Sequence, residues 1–237
     1  MIANVRLPKV IVFDLDNTLV CLTSSLAKRM YIEFAYKVIG ISPDKAEECY
    51  EKGYASWKKI VNSLPGRKKY LKLWELCFKN AVNEQDAIKL AYEFQKEFDE
   101  NCSDLLYPDV ISTFNELRSR QLVLGIFSER SELAIKRCLI RHNILHFFDF
   151  YFSAQDTDPI EAKMNDNSWK TLIASINNMG FDKKEILYVG DEYEVDILQA
   201  LKHGIKTVLI DRNGNHQTTR CIKIRGLDEL CDILGMR

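Results

Sequence analysis

The chain has 237 residues, enough for one or two domains. With 46% hydrophobic and 28% charged residues it can bury a substantial core, and wholesale disorder is excluded. Its 33 Lys and Arg against 34 Asp and Glu leave a net charge of −1, which argues against a nucleic-acid or other polyanion binder. No stretch approaches the length of an apolar membrane span, and the segment Met1 to Lys9 has no signal-peptide core. The seven cysteines, at positions 21, 49, 77, 102, 138, 221 and 231, never fall in a C-x-x-C spacing. They read as reduced thiols rather than a disulfide scaffold or a zinc site, so the expectation is a soluble cytoplasmic protein without membrane association.

The first strong segment, Val10-Ile11-Val12-Phe13, is a short continuous apolar run suited to a strand buried on both faces. From Leu22 to Leu106 the strand signal vanishes, and helix-compatible, aromatic-rich stretches take over: Leu26 to Ile39, Pro43 to Asn62, Lys68 to Lys79 and Glu84 to Asp99. Gly40-Ile41-Ser42-Pro43 and Pro65-Gly66 break them, and Asn83 suits an N-cap. Tyr31, Phe34, Tyr54, Trp57 and Trp74 read as the core of this region, and Lys28, Arg29 and Arg67 as mainly solvent-facing.

After Tyr107-Pro108-Asp109, helical patterns alternate with apolar runs: a helix over Val110 to Arg120, a strand over Leu122 to Phe127, and a helix over Ser131 to Arg141. A strand at Phe150 to Phe152, a helix at Ser168 to Met179, a strand at Ile186 to Val189, a helix at Val195 to Lys202 and a strand at Thr207 to Ile210 complete the series. This alternation predicts βαβ units and an α/β class: a Rossmann-like doubly wound parallel sheet. The expected domains are a core of residues 1–20 and 107–237 and an inserted all-helical cap domain over 21–106.

Asp14-Leu15-Asp16-Asn17-Thr18 sits at the carboxyl end of the first strand, the edge where open α/β sheets bind ligands. In an extended chain Asp14, Asp16 and Thr18 point the same way. Two neighbouring carboxylates repel, and a divalent cation is a natural way to hold them. A second acid pair, Asp191 and Asp196, follows the strand ending at Val189-Gly190. As helix-dipole complements these acids are worth only about 0.3–1 kcal/mol. On adjacent parallel strands they converge with Asp14 and Asp16 on one metal-sized space.

These motifs resemble the haloacid dehalogenase superfamily of aspartate-nucleophile phosphohydrolases, over essentially the whole chain. Asp14-Leu15-Asp16-Asn17-Thr18 matches its first motif, Ser128 at the end of Gly125-Ile126-Phe127 its second, and Gly190-Asp191 through Asp196 its fourth. The insert resembles the helical cap of the phosphoglycolate phosphatase-like subfamily. The third motif departs, for the family's Lys-Pro-x-Pro is replaced by Glu161-Ala162-Lys163-Met164-Asn165-Asp166-Asn167-Ser168-Trp169-Lys170. Counting back from Asp191 puts the expected lysine near Asp166, so Lys163 falls one turn early and Lys170 one turn late; Lys163, in the loop before the helix, is preferred. Glu129, where Asn or Gly is common, is expected to point away from the ligand.

The resemblance implies an enzyme, a Mg2+-dependent phosphatase of a small-molecule phosphoester. Asp14 is then the nucleophile, and Asp16 the general acid and base in an environment that keeps it protonated at the first step. Ser128 and Lys163 clamp the phosphoryl oxygens, and Thr18 helps to bind substrate by orienting the loop. Asp14, the Asp16 carbonyl and Asp191 hold the metal, with Asp196 supporting them from behind. Closure of the cap, hinged near Val20-Cys21 and Leu106-Pro108, would exclude water. Competing outcomes on the same fold are a sugar phosphomutase, a 2-haloacid dehalogenase, which does not need the second acid, and a non-catalytic phosphoester sensor. The sequence does not specify an oligomeric state.

Overall fold

A computed structural model describes residues 7–21, 23–61, 64, 67–102, 104–218 and 220–236. The chain divides into two compact units, one formed by 1–21 with 105–237, the other by 22–104.

The first unit is built on a parallel sheet. Its first strand, β1 (Val10–Phe13), is fully buried, and its side chains alternate between two cores. Ile11 and Phe13 pack on one face with Val110, Phe114, Leu117 and Ile135. Val10 and Val12 pack on the other with Trp169, Leu172, Ile176 and Tyr188. A strand covered on both faces has no polar side, which is why the sequence shows an unbroken apolar run there. A two-residue strand, β2 (Val20–Cys21), pairs antiparallel with β3 (Leu105–Leu106), matching Val20 to Leu106.

Between these short strands the second unit carries four helices: α1 (Ser24–Ile39), α2 (Pro43–Trp57), α3 (Arg67–Phe78) and α4 (Glu84–Asn101). Gly40 ends α1 in the left-handed conformation, which glycine adopts without a Cβ penalty. Ser42 caps α2, and the Asn83 side chain accepts from the Asp86 amide at the head of α4. Tyr31, Phe34, Trp74, Phe78 and Phe94 interlock in its core, with the Phe94 ring edge-on to Trp74 at 4.7 Å. Tyr54 and Trp57 lie at the margin of that core and stack on one another, and the Trp57 indole donates to the Lys69 carbonyl. Lys28 is committed within the unit to ion pairs with Glu47 and Glu51. Helix α2 ends at Trp57, before the expected Asn62, which lies outside the described residues.

Returning to the first unit, α5 (Val110–Ser119), β4 (Val123–Ser128), α6 (Glu132–Arg141) and β5 (Phe150–Ser153) follow in turn. Then come the single turn α7 (Ala154–Thr157), α8 (Asp166–Asn178), β6 (Ile186–Gly190), α9 (Leu198–Lys202), β7 (Lys206–Ile210), β8 (Ile222–Ile224) and α10 (Asp228–Ile233). The six-stranded order is β5-β4-β1-β6-β7-β8, every neighbour parallel. From β1 the chain builds outward to one side through β4, then returns to the other through β6. That reversal opens a crevice at the carboxyl end of β1. In register, Phe13 stands between Ile126 of β4 and Val189 of β6, so Asp14 emerges level with Phe127 and Gly190, one residue before Ser128 and Asp191.

Candidate active site

The Asp14 amide donates to the Val189 carbonyl at 2.8 Å, carrying the ladder one residue past β1 and fixing the carboxylate at the sheet edge. Asn17 then takes a left-handed φ of 56° and turns the chain back. The extended geometry expected for Asp14, Asp16 and Thr18 therefore stops at Asp16. Thr18 is fully buried, its hydroxyl has no hydrogen-bond partner among the described residues, and its carbonyl accepts from Arg212 Nη2 at 2.7 Å. Arg212 also forks onto the Asp109 carboxylate and lies over the Tyr107 ring. The Asp109 carboxylate thereby ties the head of α5 to Arg212 and to the Leu227 amide.

Lys163 reaches the edge from a loop that has no proline after the lysine and is stiffened by side chains. Asp158 accepts from the amides of Ile160 and Glu161 and from the Asn165 side chain, and the Trp169 indole donates to the Lys163 carbonyl. The ammonium is 1% exposed; it donates to Asp14 Oδ1 at 2.5 Å and to Asp196 Oδ1 at 2.7 Å. The faces of Phe127 and Tyr188 lie 5.6 and 5.5 Å from it. Burial alone would pull this ammonium down, but Asp14 and Asp196 outweigh it and hold its pKa well above the usual lysine range. Lys170 stands on the exposed face of α8.

Asp196 is aimed by a π-type turn, Tyr193–Ile197, where the periodicity predicts the start of an ordinary helix. Its carboxylate accepts from Lys163, from the Tyr188 hydroxyl at 3.0 Å and from the Glu192 amide at 3.0 Å. A Cβ on Gly190 would come within 2.5 Å of that carboxylate, which accounts for the glycine. Carboxylate oxygens of Asp14, Asp191 and Asp196 lie within 4.8 Å of one another. Burial, opposed by Lys163 and reinforced by Asp196 and Asp16, pushes Asp14 up to about 7. Burial and then the charges of Asp14 and Asp196 push Asp191 well above the carboxylate range.

Ser128, fully buried at the end of β4, accepts from the Arg130 amide at 3.1 Å, which leaves its hydroxyl hydrogen free to donate elsewhere. Glu129 is partly buried, and burial pushes it up to about 8, opposed by Lys163 and reinforced by Glu192, Asp196 and Asp14. Asp16 accepts from Arg130, with Nε at 3.1 Å from Oδ1 and 3.0 Å from Oδ2 and Nη2 closer still on Oδ1. The Asp16 carboxylate thus turns to Arg130, while those of Asp14, Asp191 and Asp196 converge. Sequence reasoning missed Arg130 and Tyr188. The only signal was the polar run Ser128-Glu129-Arg130-Ser131-Glu132, which also reads as a turn and a cap.

A family model for haloacid dehalogenase-like hydrolases matches residues 8–204. The chain belongs to that family. Among curated relatives, the glyceraldehyde 3-phosphate phosphatase of Methanopyrus kandleri is 35% identical over 113 residues, 47% of this chain and 45% of that one. The chain spans about half the length of the curated relatives it matches. Among solved structures, the HAD-hydrolase YfnB from Bacillus subtilis, bound to magnesium, superposes with a TM-score of 0.68 at 17% identity, over 97% of this chain and 99% of that one. A 2-haloacid dehalogenase from Pseudomonas syringae reaches 0.61 at 16% identity, over 97% and 99%. Proteins of different chemistry share the haloacid dehalogenase-like fold, so the fold alone does not select the reaction. No helix among the described residues is long and apolar enough to cross a membrane.

Proposed function

We propose that this hydrolase is a Mg2+-dependent phosphatase that cleaves a small-molecule phosphate monoester through a phosphorylated Asp14. The observation that carries this reading is a second acid, Asp16, two residues beyond a buried Asp14 whose carboxylate is held by Lys163. A dehalogenase has no alkoxide to protonate and no use for Asp16.

Asp14 attacks phosphorus in line, and the ester oxygen departs with a proton from Asp16. Water then attacks the aspartyl-phosphate, giving its proton to Asp16, and phosphate leaves with Asp14 restored. Lys163 neutralises charge on the transferring group, and the Ser128 hydroxyl donates to one of its oxygens. Asp196 and Tyr188 keep the Lys163 ammonium in place.

Mg2+ fits the donor set. Three carboxylates share the sheet edge with the Lys163 ammonium, and burial disfavours the charges of Asp14 and Asp191, which is the state a hard, oxygen-seeking cation relieves. Asp14, Asp191 and the Asp16 main chain would hold it, with Asp196 behind, and it would supply charge neutralisation at the phosphoryl oxygens. The magnesium-bound relative supports this choice.

The test is phosphate release from p-nitrophenyl phosphate, glyceraldehyde 3-phosphate, phosphoglycolate, sugar phosphates and nucleoside monophosphates. Release that needs Mg2+, stops with EDTA and vanishes in Asp14→Asn supports the reading. No release from any ester by the folded protein refutes it.

A further inference from the structure

We propose that Arg130 is a positioning residue that sets the direction of the Asp16 carboxyl, an inference that rests on the phosphatase reading above. The guanidinium is 3% exposed and covers both oxygens of Asp16, a residue 114 positions away in sequence. Its own placement is rigid on both sides. The Arg130 amide donates to Ser128 Oγ at the end of β4, and the next residue, Ser131, caps α6. Asp16, by contrast, sits on a loop that the left-handed Asn17 turns sharply, and its side chain is 28% exposed. A partly exposed aspartate on a turn has rotamers to choose among, whereas a planar fork from a fixed backbone narrows the choice. One residue thereby touches two groups that the phosphatase reading uses: the Ser128 hydroxyl oxygen through its amide, and Asp16 through its guanidinium.

Positioning of an acid has a signature that general structural damage lacks. An alkyl leaving group needs the proton from Asp16, while p-nitrophenolate departs without one. The comparison uses kcat/KM, which reports on steps up to the loss of the leaving group. Arg130→Gln should lower kcat/KM for the best alkyl phosphate of the panel by about 10–100-fold. For p-nitrophenyl phosphate the loss should stay within about 3-fold, the pattern expected of Asp16→Asn, where proton transfer worth roughly 10²–10⁴-fold is removed. Because Arg130 acts through Asp16, the double variant should be no slower on the alkyl ester than Asp16→Asn alone. Arg130→Lys keeps the charge without the fork and should fall between; it runs the same series if the glutamine variant fails to fold, as judged by circular dichroism.

Equal losses on both esters, or a further loss on the Asp16→Asn background, overturn the assignment while leaving the phosphatase reading intact. If the unmodified protein hydrolyses neither ester, the phosphatase reading itself has failed and the assignment falls with it.

Discussion

Replacing Glu129 by Gln removes a carboxyl that the fold holds protonated, and the consequence is a change in how stability depends on pH. Burial, against the opposing pull of Lys163, raises Glu129 from an ordinary 4.5 to about 8. Below 4.5 the carboxyl is protonated whether the chain is folded or not, and it contributes no pH dependence. Between 4.5 and 8 the unfolded chain ionises there while the folded protein keeps its proton, so stability is lost as pH rises. Each pKa unit is worth about 1.4 kcal/mol, which sets a ceiling of roughly 5 kcal/mol on the loss. Glu129 keeps some solvent contact, and screening brings the expected value nearer 2 kcal/mol. Urea unfolding in EDTA, at pH 5 and again at pH 8, measures this directly. The parent should lose about 2 kcal/mol more than Glu129→Gln over that interval. Parallel profiles would refute the placement of an un-ionised Glu129 beside the acid cluster.

Two further outcomes follow from the geometry. Lys163→Met leaves Asp14 and Asp196 facing each other without their shared ammonium, and should cost about 3–5 kcal/mol in metal-free unfolding together with a loss of at least about 10²-fold in phosphate release. Lys170→Met, on the exposed face of α8, should leave both quantities as they are. Gly190→Ala forces a methyl group to within 2.5 Å of the Asp196 carboxylate; urea melts should record a loss of about 1–3 kcal/mol, and phosphate release should fall with it.

The fold was legible where one physical signal dominated. A strand buried on both faces must be continuously apolar, and β1, β4, β6 and β7 each announced themselves that way. The two-residue ladder of β2 and β3 is too short for any period to register, and the π-type turn before α9 departs from 3.6 residues per turn at the place where Asp196 must swing inward. Asp14, Asp16 and Asp191 stood out because acids directly after apolar strands have few structural uses. The choice between Lys163 and Lys170 could not be made from spacing, because the prolines that follow the lysine in the family are missing here and Asp158, Asn165 and Trp169 hold the loop. Arg130 and Glu129 belong to a polar run whose side chains part only in three dimensions. One crosses to Asp16, and the other is partly buried with its carboxyl pushed up to about 8.

The central claim is that Asp14 becomes covalently phosphorylated, and the mass of the acid-quenched protein during turnover tests it most directly. A gain of one phosphoryl group, mapped to Asp14 by peptide sequencing and absent from Asp14→Asn, is the expected result. Steady phosphate release with no phosphorylated protein at any quench time, or a phosphoryl group mapped to another residue, would contradict it.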